Sequence, residues 1–417
     1  MRILVFANTM TSFGASITEF ALPLIALIVL DASAGTVALL YAVTLAAQAA
    51  ASLPVGVWVD RTDQKRSLIM GLVLGGLVVL AVPALAAADR LSVGWLIVVA
   101  VGAGLTTTVV QVSAQALVPA LVDGPALVSA NAGLSFGRSL GTMVGPGAGG
   151  LVVGWLGAAG ALVFDGVSQL ASAVLLLRLR VPATVRVVHD RPRLAVRRGI
   201  SAVTGDVVLR RIVIGTTVFN IGGGLIGSLW FTYAYRDLGL GPAAIGAASM
   251  LGNIGLLVGS ASATRVVGRL GLARTALATG TVAVAAFALI PAAMFAAPLV
   301  MLASYEFVFS ACMAMFGVSV ATLRHQRTEA GLHGRVFGVV LLGPMFGAPL
   351  GAVLAAGLVA LPLSVPVAIT VGIGFGAASL AAYWWPGWVS AAATPARAGQ
   401  MAQSQIAQGS DGPGSDG

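Results

Sequence analysis

The chain consists of long apolar runs separated by short polar connections, and the runs are continuous rather than alternating in polarity. A bilayer core of roughly 30 Å takes about 20 apolar residues in a helix, whereas barrel strands alternate over about 10 residues. The pattern therefore predicts twelve membrane-spanning helices, at 3–29, 35–58, 67–88, 92–115, 131–154, 157–178, 212–235, 242–264, 273–295, 298–322, 336–360 and 363–386.

Composition supports a membrane protein. Hydrophobic residues make up 58% of the 417 and charged residues 9%, and the mean hydropathy is +0.98. Soluble proteins carry about 25% charged residues. The first apolar run follows Arg2 directly and is succeeded by many others, so we expect a retained helix and not a cleaved signal peptide. Cys312 is the sole cysteine, which excludes an intrachain disulfide or a cysteine-based metal site.

The basic residues fall on one side of the predicted membrane. Of the 23 Lys and Arg residues, only Arg90 and Arg236 lie in loops on the opposite side, and Arg138 lies within a span. The positive-inside rule then predicts a multi-pass protein of the cell (inner or plasma) membrane with both termini in the cytoplasm. The sequence pI near 10.9 is explained by this orientation and the arginines can contact anionic lipid, so we expect no nucleic-acid partner.

A long basic loop divides the chain into two halves. We expect a six-helix bundle at 1–178, a cytoplasmic linker at 179–211, a second six-helix bundle at 212–386 and a disordered cytoplasmic tail at 387–417. The halves echo each other, since Leu117 matches Leu323 and Asp123 matches Glu329 at one offset. A Gly-Pro-x-x-Gly also recurs, from Gly145 and from Gly343.

Two motifs stand out from ordinary loops and Gly-rich helix packing. The connection between the second and third spans carries Gly56, Asp60, Arg61, Lys65 and Arg66. The fifth predicted span carries small residues, which allow close helix approach, and a kinking proline; they are Gly141, Gly145, Pro146, Gly149 and Gly150.

These motifs resemble the major facilitator superfamily. The first is similar to its signature loop, with Asp63 in place of a usual glycine, and the second to the signature of its exporting branch. The stretches 11–24 and 322–336 are similar to the macrolide-efflux and enterobactin-exporter group. The resemblance implies an all-α fold of two pseudo-symmetric six-helix bundles and proton-driven export of drugs, antibiotics or siderophores. It also implies that the loop latches the cytoplasmic side, where its aspartate caps a neighbouring helix and its basic residues pair across the gap.

Four ionisable residues lie within predicted spans, where charge is costly and indicates function. They are Glu19, Arg138, Asp165 and Glu306. A carboxyl shielded from water favours its protonated form and can exchange protons, so all three acids are candidates for proton coupling. By resemblance, spans one, four, seven and ten line the cavity, which ranks Glu19 and Glu306 above Asp165. The alternative is that these acids only hydrogen-bond neighbouring helices.

Other polar and aromatic residues are candidates for a substrate cavity. Arg138 can attract anionic groups, and Asn8, Ser12 and Ser16 follow helical spacing on the first span. Aromatic and amide candidates in the second half are Asn220, Trp230, Tyr233 and Tyr305. Tryptophans and tyrosines near helix ends otherwise form the interfacial belt, to which we assign Trp384, Trp385 and Trp388.

The sequence favours a proton-coupled secondary transporter that exports small amphipathic molecules. We expect no cofactor beyond the proton gradient, no metal and no obligatory protein partner. No phosphate-binding loop is present, and the histidines lie in predicted loops, so neither an ATP-driven pump nor an enzyme is expected. Uptake of a metabolite by the same fold is the alternative, followed by an intramembrane enzyme or lipid scramblase.

Overall fold

The structure is a computed structural model, which describes residues 1–122, 126–179, 200–328, 332–361 and 363–393. Most of the predicted linker, the predicted tail beyond 393, and the matched pair Asp123 and Glu329 lie outside the described residues.

The N-terminal half contains six helices. They are α1 (Arg2–Ile28), α2 (Ala34–Arg61), α3 (Gln64–Ala87), α4 (Val93–Leu121), α5 (126–156) and α6 (158–177). The last two form a single helical stretch, Ala126–Leu177, that is broken only at Gly157, where φ is 74°. A positive φ is readily adopted by glycine, so one residue replaces the loop that the sequence predicted between these spans.

The C-terminal half repeats this order. Its helices are α7 (Val207–Thr232), continued by a π-helix (Tyr233–Asp237), α8 (Pro242–Leu270), α9 (Leu272–Ala286, with a short continuation Leu289–Ala292), α10 (Pro298–Arg327), α11 (His333–Ala360) and α12 (Val365–Leu380). Among the described residues, ten helices are long and apolar enough to cross a membrane. Because one of the ten contains both α5 and α6, and the shorter α12 is also apolar, the twelve predicted spans are all represented.

Local capping explains several helix starts. Asp63 accepts from the backbone N–H of Arg66 at 3.0 Å, and Asp206 accepts from Val208 and Leu209 at 2.8 and 2.9 Å. Ser33 caps α2 in the same way, whereas prolines in the first turn open α8 and α10. Side-chain oxygens at the N-cap satisfy otherwise unpaired N–H groups. The unusual Asp63 of the signature loop is therefore a helix cap.

The predicted disordered tail begins too early, because an ordered segment continues to residue 393. A short helix, α13 (Trp388–Ala393), follows α12. Trp388 is buried, donates from Nε1 to the carbonyl of Ala273 at 3.0 Å and meets the ring of Tyr383 edge-on. Trp388 is thus a core residue and not a belt residue.

The two halves use the same helix pairs. Helix α1 packs against α5 and α6, and α7 packs against α11 and α12. Gly137 contacts Thr9 as Gly343 contacts Thr217. Gly343 is therefore the counterpart of Gly137, and the recurring Gly-Pro-x-x-Gly does not mark equivalent positions. The two halves do repeat, but the two Gly-Pro-x-x-Gly segments do not occupy equivalent positions in the repeat.

The halves meet through α2 with α11 and α5 with α8. We call the end with residues 61–66, 265–274 and 324–327 the basic end, and the end with 29–33 and 233–241 the far end. A Cβ on Gly150 would lie 2.6 Å from the carbonyl oxygen of Pro242, and Asp31 pairs with Arg236. These contacts close the far end.

Candidate functional site

A cavity of about 460 Å³ lies in the N-terminal half near the far end and extends to the interface with the C-terminal half. We call it the central cavity. The polar residues that line it include Glu19 and Thr18 of α1, Tyr41, Thr44 and Gln48 of α2, Thr106 and Thr107 of α4, Asp165 and Gln169 of α6, and Ser249 and Asn253 of α8. Among its apolar lining residues, the rings of Phe20 and Phe231 meet edge-on with their centroids 5.4 Å apart.

Two further cavities continue from it towards the basic end. A connecting cavity of about 120 Å³ shares Ser16, Glu19 and Gln169 with the central cavity. A vestibule of about 530 Å³ shares Asn8 and Arg138 with the connecting cavity and extends to Pro119 and Asn131. Because Pro119 and Asn131 lie near the basic-end termini of α4 and α5, the cavities form one route from the basic end to Glu19.

Close helix approach positions the acids. A Cβ on Gly14 would lie 2.5 Å from Asp165 Oδ1, and one on Gly141 would lie 2.7 Å from the backbone nitrogen of Phe13. Only glycine allows helix backbones to come this close. The exporter-like motif on α5 thus packs against two helices. Contacts with α1 are made by Gly141, Gly145 and Gly149. Contacts with α8 of the other half are made by Pro146 and Gly150.

The two acids of the central cavity are held differently. Asp165 is buried and accepts from Thr18 Oγ1 at 2.6 Å and from Gln169 Nε2 at 3.1 Å. Glu19 is exposed to the cavity and makes no hydrogen bond or ion pair within the described part of the chain. The two carboxyls are close enough for their charges to interact, so they repel each other when both are ionised. Asp165 is fixed, whereas the Glu19 carboxyl is available to a proton or a bound molecule.

Glu306 lies elsewhere. It is on α10 in the C-terminal half, where a Cβ on Gly252 of α8 would lie 2.7 Å from its Oε2 atom. It does not line the central cavity. The sequence ranking therefore differs from the geometry, which brings Glu19 together with Asp165 and leaves Glu306 apart.

Three polar residues of α1 line the route. Asn8, Ser12 and Ser16 all line the connecting cavity, and Asn8 Nδ2 also donates to the Leu134 carbonyl at 3.3 Å. Arg138 lies where the connecting cavity meets the vestibule.

The aromatic and amide candidates of the second half do not line the central cavity. Trp230 and Tyr305 are buried with their ring centroids 5.5 Å apart, and Tyr233 Oη donates to the Ile290 carbonyl at 2.8 Å. Asn220 Nδ2 donates to Thr216 of its own helix. Their chemistry suits a cavity, but neighbouring rings pack against Trp230 and Tyr305, and Tyr233 is buried against Ile290.

The sequence reasoning missed Tyr41, Thr44 and Gln48, which line the cavity from α2. They lie three and four residues apart, so a polar stripe at helical spacing was the available signal. Gln169 was also missed, although it follows Asp165 by one helical turn.

The signature loop makes its contacts within the N-terminal half. Lys65 Nζ donates to the carbonyls of Leu177 and Leu179 at 3.0 and 2.7 Å, and Arg66 lies 3.7 Å from Asp63. Asp60 has no hydrogen bond or ion pair with any described residue, and Gly56 has open space around its Cβ position. Among the described residues, the loop makes none of the side-chain contacts to the other half that the resemblance implies.

Two six-helix halves around a polar cavity define a polytopic membrane transporter. A sequence profile of the Major Facilitator Superfamily matches residues 4–352, and the chain belongs to that family. Its fold supports secondary transport of small molecules by alternating access in a single chain, rather than enzymatic catalysis.

Solved structures share this fold at low identity. The nucleoside transporter NupG is 13% identical, with a TM-score of 0.72 over 94% of this chain and 99% of that one. An inward-facing bacterial homologue of the iron transporter ferroportin is 18% identical, with a TM-score of 0.69 over 94% and 98%. An inward-facing, unoccupied bacterial homologue of the lysosomal transporter Spinster is 15% identical, with a TM-score of 0.72 over 94% and 98%. No curated protein sequence matches the chain significantly.

Proposed function

We propose that the protein is a proton-coupled exporter of small amphipathic molecules, such as a drug, antibiotic, siderophore or secondary metabolite. The observation that carries this proposal is the Glu19 carboxyl, which has no hydrogen-bond partner among the described residues and enters a cavity closed at the far end. An ionisable group at such a site is costly in a membrane, and a role in coupling explains why it is there. The proton gradient supplies the energy, without a cofactor.

The proposal places the basic end in the cytoplasm and the protein in the cell membrane. The arginines and the lysine at the basic end support this orientation through the positive-inside rule. Both termini are then cytoplasmic. A green fluorescent protein fused after the tail is expected to fluoresce, and an alkaline phosphatase at the same point is expected to be inactive; the reverse result would invert the topology.

In the proposed cycle, a molecule from the cytoplasm passes Arg138 and reaches Glu19 while the far end is closed. Its binding displaces a proton held by Glu19, and the halves then rock along the α5–α8 and α2–α11 seams. The far end opens, the molecule leaves, and an outside proton returns to the acids. At the closed basic end, Asp60 and Arg61 become available to meet the opposite half.

Transport into inside-out membrane vesicles tests both direction and coupling. With the fluorescent zwitterion norfloxacin as the probe, energised vesicles that contain the protein are expected to accumulate it, and a proton uncoupler is expected to abolish the accumulation. Vesicles without the protein provide the control. Accumulation only in right-side-out vesicles would indicate uptake instead, and export that is insensitive to the uncoupler would contradict proton coupling.

A further inference from the structure

The charged residues of the N-terminal route are divided between its two ends. Glu19 and Asp165 lie at the closed end, and Arg138 lies where the vestibule begins. None of the three forms an ion pair with another described residue. When the two acids are ionised, the formal charges along the route therefore change sign, from positive at Arg138 to negative at Glu19 and Asp165.

The separation of these charges follows from the helix packing. Gly137 contacts Thr9 and Gly141 contacts Ser12, so Arg138 meets α1 at that level. Glu19 lies about nine residues further along α1, which is roughly 13 Å at 1.5 Å per residue. Both side chains line the connecting cavity, so a molecule bound there can contact both.

We propose that the route binds zwitterionic amphipathic molecules, with an amine towards Glu19 and Asp165 and a carboxylate or similar anion towards Arg138. This inference deepens the proposed function and rests on it. A simple cation is repelled by Arg138 on its way in, and a simple anion meets two carboxyls at the closed end. A zwitterion aligned with the route satisfies both ends, while its apolar body lies against Phe20 and Phe231.

Dimensions support a molecule of this kind. The central and connecting cavities measure about 460 and 120 Å³, and the larger falls within the usual range of roughly 300–1,000 Å³ for ligand sites. A dipeptide with one aromatic ring is therefore a suitable probe.

Equilibrium binding to the full chain in lipid nanodiscs, without any gradient, tests the proposal. Four matched probes have one body and different charges: alanyl-phenylalanine, its cationic methyl ester, its anionic N-acetyl form and the neutral doubly blocked form. By titration calorimetry at neutral pH, the zwitterion is expected to bind at least about tenfold more tightly than each of the others.

Variants separate charge recognition from folding. Arg138→Gln is expected to remove the preference for the zwitterion over the methyl ester, and Glu19→Gln to remove the preference over the N-acetyl form. Arg138→Lys should keep the preference, and Arg269→Gln, an exposed arginine outside the cavities, provides the matched control. Thermal unfolding verifies that each variant is folded.

Three results would overturn the proposal: equal affinity for ester and zwitterion, an equal loss for all four probes in Arg138→Gln, or no saturable binding of any probe to folded protein. Because binding is measured without a gradient, these results leave proton-coupled export standing. Conversely, if gradient-driven transport fails, the relative affinities of the four probes can still be measured.

Discussion

The two halves of this protein share a backbone plan but fill it differently. The N-terminal half contains a polar cavity with two acids. The C-terminal half contains a cluster of stacked and tilted rings, with neighbouring centroids 5.3–6.2 Å apart, formed by Phe219, Trp230, Phe287, Tyr305 and Phe309. One half has a polar, acidic cavity, whereas the other has a packed ring cluster and an apolar cavity between α8 and α10.

Matched positions make the contrast specific. Gly14 meets Asp165 and Ser168, whereas its counterpart Gly222 meets Gly372 and Phe375. Thr18 donates to Asp165, whereas Ile226 contacts Gly372. Close glycine approach sets the helix packing in both halves, and a few side chains decide the chemistry. We therefore expect the proposed proton chemistry to be concentrated in the N-terminal half.

Truncating a ring in the C-terminal half is expected to have the largest effect on stability. Phe287→Ala removes a buried ring from the aromatic cluster, and we expect a loss of about 3–5 kcal/mol in the free energy of unfolding. Thr107→Ala, which borders the open cavity, should cost far less. Thermal and denaturant unfolding of the purified variants measures both, and similar losses would contradict the contrast.

Removing the Thr18 hydroxyl is expected to loosen the acid network. Thr18→Val keeps the shape but loses the 2.6 Å hydrogen bond to Asp165, and such bonds to charged groups contribute about 1.5–3 kcal/mol. We expect the pH dependence of transport to change in Thr18→Val and to be kept in Thr18→Ser. An unchanged pH profile in Thr18→Val would indicate that the Thr18 bond has no part in coupling.

The glycine seam gives the next effect. Gly141→Ala places a Cβ against the α1 backbone, and overpacking of this kind costs about 1–3 kcal/mol. Gly154→Ala on the same helix meets nothing within 4 Å and should be neutral or slightly stabilising. Gly351→Ala, which meets the Ile221 carbonyl in the other half, is expected to resemble Gly141→Ala. If Gly141→Ala leaves the free energy of unfolding unchanged, α1 and α5 do not pack as closely as described.

The smallest effect is expected at the far end. Asp31 and Arg236 form an exposed ion pair between the halves, and such pairs contribute about 0–1 kcal/mol. Asp31→Asn should therefore shift the population modestly towards states that are open at the far end. Distances between spin labels on the two halves measure the shift, with Asp89→Asn as an exposed control. If the label distances are the same in the two variants, the Asp31–Arg236 pair does not hold the far end closed.

Much of the fold follows from apolar run length and from the placement of arginine. The twelve spans, the repeat and the polar stripe of Asn8, Ser12 and Ser16 are predictable because each depends on helical period or on membrane thickness. The one-residue break at Gly157 and the buried Trp388 are not, because each depends on a tertiary contact or a single backbone angle.

The site is predictable only in part. Glu19 and Asp165 are both found because a carboxyl in a span is rare, but their proximity is not, since the ranking by span number places Glu306 above Asp165. Trp230 and Tyr305 have the chemistry of cavity residues, and only their neighbours show that the space is filled. The identity of a side chain does not say whether its surroundings are empty.

Gradient-driven transport by Glu19→Gln and Glu306→Gln, measured side by side in proteoliposomes, tests the central claim most directly. Both changes remove one carboxyl from a membrane helix, but only Glu19 lines the cavity. We predict that Glu19→Gln falls to the level of empty liposomes whereas Glu306→Gln keeps most of the wild-type, uncoupler-sensitive rate. The opposite ranking would contradict the assignment of proton chemistry to the N-terminal half.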